Sequence, residues 1–134
     1  MSRARDMASS VSCEYHQYTT LLNSWVAWPL QSQTSEESGV KVMRMGPLYI
    51  VHINANNQTT STGTFTSKIL TLDSNITNPT NTVKCGTSFY GTGSQDDYVA
   101  HLEIEPDGDI QLYIYNPSGS GTHVAQNFIG LDTN

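Results

Sequence analysis

Charged residues are scarce in this sequence. They make up 13% of the 134 residues, which is about half of the share typical of globular domains. Only 6 residues are Lys or Arg, they are scattered along the chain, and the formal net charge is −6. A groove for nucleic acid needs clustered basic side chains, and an anionic membrane repels an acidic protein. The composition therefore argues against binding to nucleic acids and to anionic membrane surfaces.

Long apolar segments are missing as well. No run approaches the roughly 18 apolar residues that span a bilayer, so we expect no membrane insertion. No signal-peptide hydrophobic region is present, and helical periodicity is nearly absent. Residues 1–8 resemble a tag remnant or a linker, and we expect them to be disordered. The rest, residues 9–134, has the length of one domain.

Cysteine is also rare, with only Cys13 and Cys85. A small secreted domain stapled by disulfides usually has more cysteines. Both cysteines alternate with apolar neighbours, which predicts two free, buried thiols. A single bridge between them stays an open alternative. A metal site is disfavoured because zinc needs three or four converging ligands, and the sequence offers only the two cysteines, with His16 near Cys13 and no histidine near Cys85.

The sequence does contain many short β-branched and aromatic runs, and clusters of Gly, Pro, Asn, Ser and Asp separate them. This pattern predicts an all-β fold, namely an antiparallel β-sandwich that is jelly-roll-like or a Greek key. About 8–9 short strands are expected. They lie near residues 10–18, 20–28, 39–45, 47–55, 62–72, 82–91, 97–105, 109–115 and 122–131.

The two tryptophans, Trp25 and Trp28, fall on opposite faces of a predicted strand or of its end. We expect one of them to lie in the core. The other is expected to pack against a partner chain or a preceding stalk, or to serve as a sugar platform.

One β-hairpin can be placed from the sequence. Pro106 suits the start of a type I turn, and Gly108 supplies the left-handed residue of a three-residue loop. The resulting register predicts a core face with the pairs Ile104–Ile110, Leu102–Leu112 and Ala100–Ile114. The outward face then has the pairs Glu103–Gln111, His101–Tyr113 and Val99–Tyr115.

This outward face is unusually apolar for a solvated surface. It could contact another subunit, contact a ligand, or remain a partly exposed sheet face. We assign it first to a subunit interface that includes His101, Tyr113 and Tyr115.

Catalytic and cofactor motifs are lacking. None of the four histidines stands two or four residues from another, and the sequence has no Gly-x-Ser-x-Gly, Gly-x-Gly-x-x-Gly or phosphate-binding loop. Glu103 and Glu105 are about 7 Å apart along a strand, a separation that glycosidases use, but they flank a turn. Asp107 and Asp109 belong to the same turn. We therefore expect no enzyme, no metal site and no cofactor.

Three segments together resemble the small head domains of viral attachment fibres. They are the hairpin Gly-Val-Lys-Val-Met-Arg-Met-Gly-Pro-Leu-Tyr-Ile-Val-His-Ile at 39–53, the Gly-Thr-Phe strand at 63–65, and Leu-Glu-Ile-Glu-Pro-Asp-Gly-Asp-Ile-Gln-Leu at 102–112. A closing strand with Asn-Phe-Ile at 127–129 completes the pattern. The arrangement is similar to heads of phage tail-fibre receptor-binding proteins and of adenovirus and reovirus fibres, over residues 20–131.

The resemblance implies a homotrimer that is assembled inside the infected host cell and placed on the virion, at the distal end of a fibre or tail. It also implies attachment to a host cell-surface receptor, either a glycan or a protein. Polar loops on a rigid scaffold suit recognition, and we expect receptor contacts at Tyr90, Asp96, Asp97 and Tyr98. Two alternatives remain: a structural or decoration module of a virion without a receptor role, and a carbohydrate-binding β-sandwich module.

Overall fold

The computed structural model describes residues 13–28, 38–57, 59, 62–89, 98–116 and 121–133. Nine strands lie within these ranges, and no helix does. The strands are β1 (Cys13–Tyr18), β2 (Trp25–Ala27), β3 (Gly39–Met45), β4 (Leu48–Asn57), β5 (Gly63–Thr71), β6 (Val83–Phe89), β7 (Tyr98–Ile104), β8 (Asp109–Asn116) and β9 (Thr122–Leu131). No helix that could serve as a membrane span occurs in these ranges.

All strand pairs are antiparallel, which confirms the all-β, antiparallel prediction. Hydrogen bonds connect the strands in the order β1-β3-β4-β9-β6-β7-β8-β5, and β2 pairs with β4. The result is one curled sheet that resembles a half-barrel.

Strand β6 links the two halves of this sheet. Its first residues, Val83–Cys85, pair with β7, whereas Gly86–Phe89 pair with β9. The strand therefore changes neighbours midway, and this change produces the turn from the β1-β3-β4-β9 half to the β7-β8-β5 half.

The core lies inside the curl and follows the two-residue alternation of the strands. On β4, Tyr49, Val51 and Ile53 are fully buried. They join Val40, Val42 and Phe128 from neighbouring strands and Leu102, Ile104, Ile110, Leu112 and Ile114 from the hairpin in a single cluster. Burial of each such side chain stabilises the fold by about 1.5–3 kcal/mol before entropy is counted.

The segment around β2 contacts β5, which lies at the far end of the strand order. The backbone N–H of Leu22 donates to the carbonyl of Ile69 at 2.9 Å, and the Trp25 indole donates to the Ser67 hydroxyl at 2.8 Å. A bulge between Lys68 and Leu70 shifts the β5 register here, and both Ile69 and Leu70 are buried. These bonds hold the curl closed on one side.

The connection between β5 and β6 is anchored to the ends of several strands. Tyr18 donates to the Asp73 carboxylate at 3.0 Å, and Tyr49 donates to the carbonyl of Thr77 at 2.6 Å. Asp132, which follows β9, accepts the backbone N–H groups of Thr80 and Asn81 at 2.7 and 3.1 Å. The long connection is thus fixed by side chains rather than by strand pairing.

One of the two tryptophans lies in the core as expected, namely Trp25 at 3% exposure, whereas Trp28 is 40% exposed and its expected contact with a partner, stalk or sugar stays a prediction. The predicted strand at 20–28 was too long, because Asn23 and Ser24 have positive φ angles of 54° and 68° and form a turn.

Both cysteines are free. The prediction of two buried thiols holds for Cys85 and is wrong for Cys13, which lies exposed on the edge strand β1.

The predicted hairpin register is correct from the turn as far as His101, which is opposite Tyr113. Beyond it, a bulge between Val99 and His101 places Val99 opposite Ile114 and Tyr98 opposite Tyr115. The predicted pairs Ala100–Ile114 and Val99–Tyr115 were therefore wrong. A bulge inserts one residue into one strand, and apolar alternation could not reveal it because Val99 and Ala100 are both apolar.

Candidate binding surfaces

The outward surface of β7 and β8 contains the predicted subunit-interface residues. We call it the tyrosine face and define it by His101, Glu103, Gln111, Tyr113 and Tyr115. The register places these residues side by side, while the alternate residues Leu102, Leu112 and Ile114 point into the core. The structure therefore brings His101, Tyr113 and Tyr115 together on one surface.

Stacking and hydrogen bonding order the centre of this face. The His101 and Tyr113 rings are nearly parallel, at 12°, with centroids 4.2 Å apart. Nε2 of His101 lies 3.0 Å from Oε2 of Glu103. Partial desolvation raises the pKa of the Tyr113 hydroxyl, and the Glu103 carboxylate acts in the same direction. Tyr115 is 49% exposed, so this face offers an ordered aromatic surface beside a carboxylate.

The predicted receptor residues are only partly covered by the structure. Tyr90, Asp96 and Asp97 lie outside the described residues. Tyr98 begins β7, and its backbone is opposite Tyr115. One predicted receptor residue is therefore a cross-strand neighbour of one predicted interface residue.

The turn between β7 and β8 is acidic. It holds the carboxylates of Glu105, Asp107 and Asp109, and each offers an oxygen within 4.8 Å of the other two. Asp107 accepts the backbone N–H of Asp109 at 3.0 Å. Asp109 accepts the Thr71 hydroxyl at 2.7 Å and lies 3.5 Å from the Lys68 ammonium. These contacts explain the Asp107 and Asp109 carboxylates as parts of the turn, and the absence of a metal site stays a prediction.

Sequence reasoning missed a second outward surface, on the β1-β3-β4-β9 half. We call it the apolar face. Two rows of cross-strand neighbours define it, and each row takes one residue from β1, β3, β4 and β9 in that order. The rows are Cys13, Met45, Leu48 and Leu131, and Tyr15, Met43, Ile50 and Ile129. A polar row borders it, Gln17–Lys41–His52–Asn127.

Several side chains of the apolar face are open to solvent. Ile129 is 56% exposed and Tyr15 is 54% exposed, and Leu131 and Met45 are exposed as well. A groove of about 610 Å³ runs beside Leu48, Ile129 and Leu131, with Lys84 at its side. A smaller one of about 230 Å³ lies among Tyr15, Met43 and His52. Exposed apolar patches of this kind mark interaction sites in soluble proteins.

The sequence held a signal for this face. Residues 48–53 read Leu-Tyr-Ile-Val-His-Ile, an almost unbroken apolar run. A half-solvated strand alternates apolar and polar residues, whereas a strand covered on both sides is apolar throughout. Tyr49, Val51 and Ile53 supply the core, so Leu48 and Ile50 place apolar side chains on the outward side of the same strand.

Comparison with known proteins finds no matching family model, no matching curated protein and no matching solved structure. The resemblance to fibre heads therefore stays a hypothesis that rests on the sequence motifs.

Proposed function

We propose that this chain is the head domain of a viral attachment fibre. It binds a host cell-surface receptor, a glycan or a protein, as a homotrimer on the virion. The observation that carries this proposal is that two separate outward faces, the tyrosine face and the apolar face, expose large apolar side chains on one β scaffold. Association with copies of the same chain covers such faces. It also multiplies modest individual binding sites into a high avidity.

We further infer that the curled sheet corresponds to the β-sandwich, jelly-roll-like or Greek key, that the sequence pattern favours. Two contacts support this inference. Both halves of the sheet contribute to one hydrophobic cluster, and the Trp25–Ser67 hydrogen bond joins β2 to β5 across the curl. Within the trimer, His101, Tyr113 and Tyr115 form part of the subunit contact.

The receptor site is proposed at Tyr90, Asp96 and Asp97, which precede β7 in the sequence, and at Tyr98, the first residue of this strand. Tyr98 is opposite Tyr115 in the hairpin register, so the proposed receptor site borders the proposed subunit contact. Connecting segments on rigid strands are common sites of recognition.

Two measurements test the proposal. Light scattering after size exclusion should give the mass of three chains at micromolar concentration. The labelled trimer should then bind to a glycan array or to host cells, and Asp96→Asn with Asp97→Asn should weaken this binding at least tenfold. Asp107→Asn is the matched control, because it removes an exposed carboxylate from the turn that follows β7, whereas Asp96 and Asp97 precede this strand in the sequence.

Other outcomes would favour other functions. A trimer without receptor binding would indicate a structural or decoration module of a virion. A monomer that binds sugars would indicate a carbohydrate-binding module. Glycoside hydrolysis that is lost in Glu103→Gln would overturn the non-enzymatic proposal.

A further inference from the structure

We propose that the apolar face of one copy docks onto the tyrosine face of the next copy, so that the subunit contact is heterologous. This inference rests on the proposed homotrimer and adds which two surfaces meet. In a heterologous contact each chain uses two different patches, and repetition by a 120° rotation closes a ring.

The size of the apolar face suits such a contact. Together with its polar border it covers four strands and three rows, which give a flat footprint on the order of 400 Å² from strand spacings of about 4.8 Å and a two-residue repeat of about 6.8 Å. A standard interface buries about 800 Å² of accessible surface per partner, and side chains that stand on a sheet expose more area than its flat footprint. The apolar rows with one polar border also match the core and rim of known interfaces.

Charge indicates that the partner is a tyrosine face. The described residues of the apolar face include no Asp or Glu, and Lys41 lies in its polar border. The tyrosine face contains Glu103, and Glu105 is at the adjacent turn. Contact between two tyrosine faces would bring these carboxylates of like charge together, and the net charge of −6 adds to the repulsion between chains. Contact between unlike faces brings Lys41 towards these carboxylates instead.

Three lysine variants test the contact in the full chain. Ile129→Lys changes the apolar face, Tyr115→Lys changes the tyrosine face, and Ser74→Lys is an exposed control outside both faces. Each variant makes the net charge less negative by one, from −6 to −5, so overall repulsion between chains decreases. We expect the first two to raise the concentration needed for assembly at least tenfold and the control to leave it unchanged. Far-UV circular dichroism and the urea midpoint show whether each variant is folded.

Mixing the variants identifies the kind of contact. Ile129→Lys retains an intact tyrosine face, and Tyr115→Lys retains an intact apolar face. An equimolar mixture at about 100 µM should therefore form a heterodimer through the one intact pair of faces. An isologous contact gives a different result: contact between two apolar faces would persist in Tyr115→Lys alone, and contact between two tyrosine faces would persist in Ile129→Lys alone.

The thiol of Cys13 provides a test on the wild-type chain. Cys13 is exposed at one corner of the apolar face, whereas Cys85 is buried. We expect alkylation of Cys13 to slow several-fold as the protein concentration rises through assembly. In Ile129→Lys the rate should stay constant over the same range.

The possible failures can be told apart. A wild-type monomer at 100 µM overturns both the trimer and this contact, and leaves the apolar face to a different protein. A wild-type trimer that persists in Ile129→Lys overturns the contact and leaves the trimer standing. Failure of the mixture to associate, when both single variants are folded monomers, overturns the heterologous arrangement.

Discussion

The Trp25 indole and the Ser67 hydroxyl join parts of the sheet that are distant in strand order. Nε1 of Trp25 on β2 donates to Oγ of Ser67 on β5 at 2.8 Å, and Trp25 is buried. Ser67→Ala leaves this indole N–H without its acceptor, which costs about 1–3 kcal/mol for a buried donor. Urea unfolding of the wild type and of Ser67→Ala measures the loss in free energy of unfolding.

Thr66→Ala is the matched control on the same strand, since Thr66 is exposed and its change should stay within about 0.5 kcal/mol. A loss in Ser67→Ala no larger than in this control would show that the hydrogen bond does not help to hold the curl.

Glu14 should make stability depend on pH. Its carboxylate accepts the Thr77 backbone N–H at 3.0 Å and the Thr77 hydroxyl at 2.8 Å, and it lies 3.6 Å from Arg44. The Thr77 backbone hydrogen bond, with help from the Thr77 hydroxyl and Arg44, lowers the pKa of Glu14 from 4.5. Because the folded-state pKa is lowered, this stabilisation is present above pH 4.5 and is lost as pH falls through the folded-state value.

We therefore expect Glu14→Gln to cost about 1 kcal/mol at pH 7 and the difference from wild type to shrink as the pH falls below 4.5. Thr77→Val should cost less in the Glu14→Gln background than in wild type, since the two residues interact. A difference that stays constant from pH 7 to about pH 3 would contradict this account.

Gly130 is predicted to tolerate no side chain. A Cβ at this position would lie 2.8 Å from Cys85 Sγ, 2.8 Å from Val83 Cγ1 and 2.9 Å from the carbonyl oxygen of Lys84. The backbone of β6 would have to move, and overpacking of this kind costs about 1–3 kcal/mol. Thermal or urea unfolding of Gly130→Ala measures this cost.

Gly86→Ala is the control for this substitution, because a Cβ there meets nothing within 4 Å. The two variants lose the same glycine freedom in the unfolded chain, so equal stabilities would refute the packing explanation.

The two thiols should differ in reactivity. Cys13 is exposed, while Cys85 is buried and burial raises its pKa to about 12. The thiolate is the reactive form. In a dilute native sample one thiol per chain should therefore react with a chromogenic disulfide reagent, and the second thiol should react only in denaturant. Cys13→Ser should show no fast phase. A fast phase in that variant would mean that Cys85 is accessible.

Local pattern was sufficient to predict the strands and one turn. Alternation and turn residues gave nine strands close to those observed, and Gly108 has the positive φ, 93°, that the Pro106-Asp107-Gly108 loop requires. The Glu105 N–H donates to the Asp109 carbonyl at 2.9 Å, which closes the hairpin as predicted. These features depend on neighbouring residues, so the sequence displays them directly.

Strand order and the apolar face could not be obtained in the same way. Pairing of β4 with β9 joins residues that are far apart in the chain, for example Val51 with Phe128, and periodicity gives no information on such pairs. The bulge between Val99 and His101 places Val99, instead of Ala100, opposite Ile114. Since both residues are apolar, the apolar pattern does not reveal the change. Residues 48–53 carry a signal of the apolar face on one strand, but the extent of this face emerges only when the register aligns residues from four separate strands.

The position of β9 has a consequence for how the chain acquires its structure. This strand, Thr122–Leu131, lies between β4 and β6 in the interior of the sheet. During synthesis the β1-β3-β4 and β6-β7-β8-β5 groups emerge first, and each has an unpaired edge until β9 arrives. Pairing over such sequence separations is slow and leaves strand edges exposed to aggregation. The sheet is therefore completed only after β9 has been synthesised, and until then the two groups of strands remain separate.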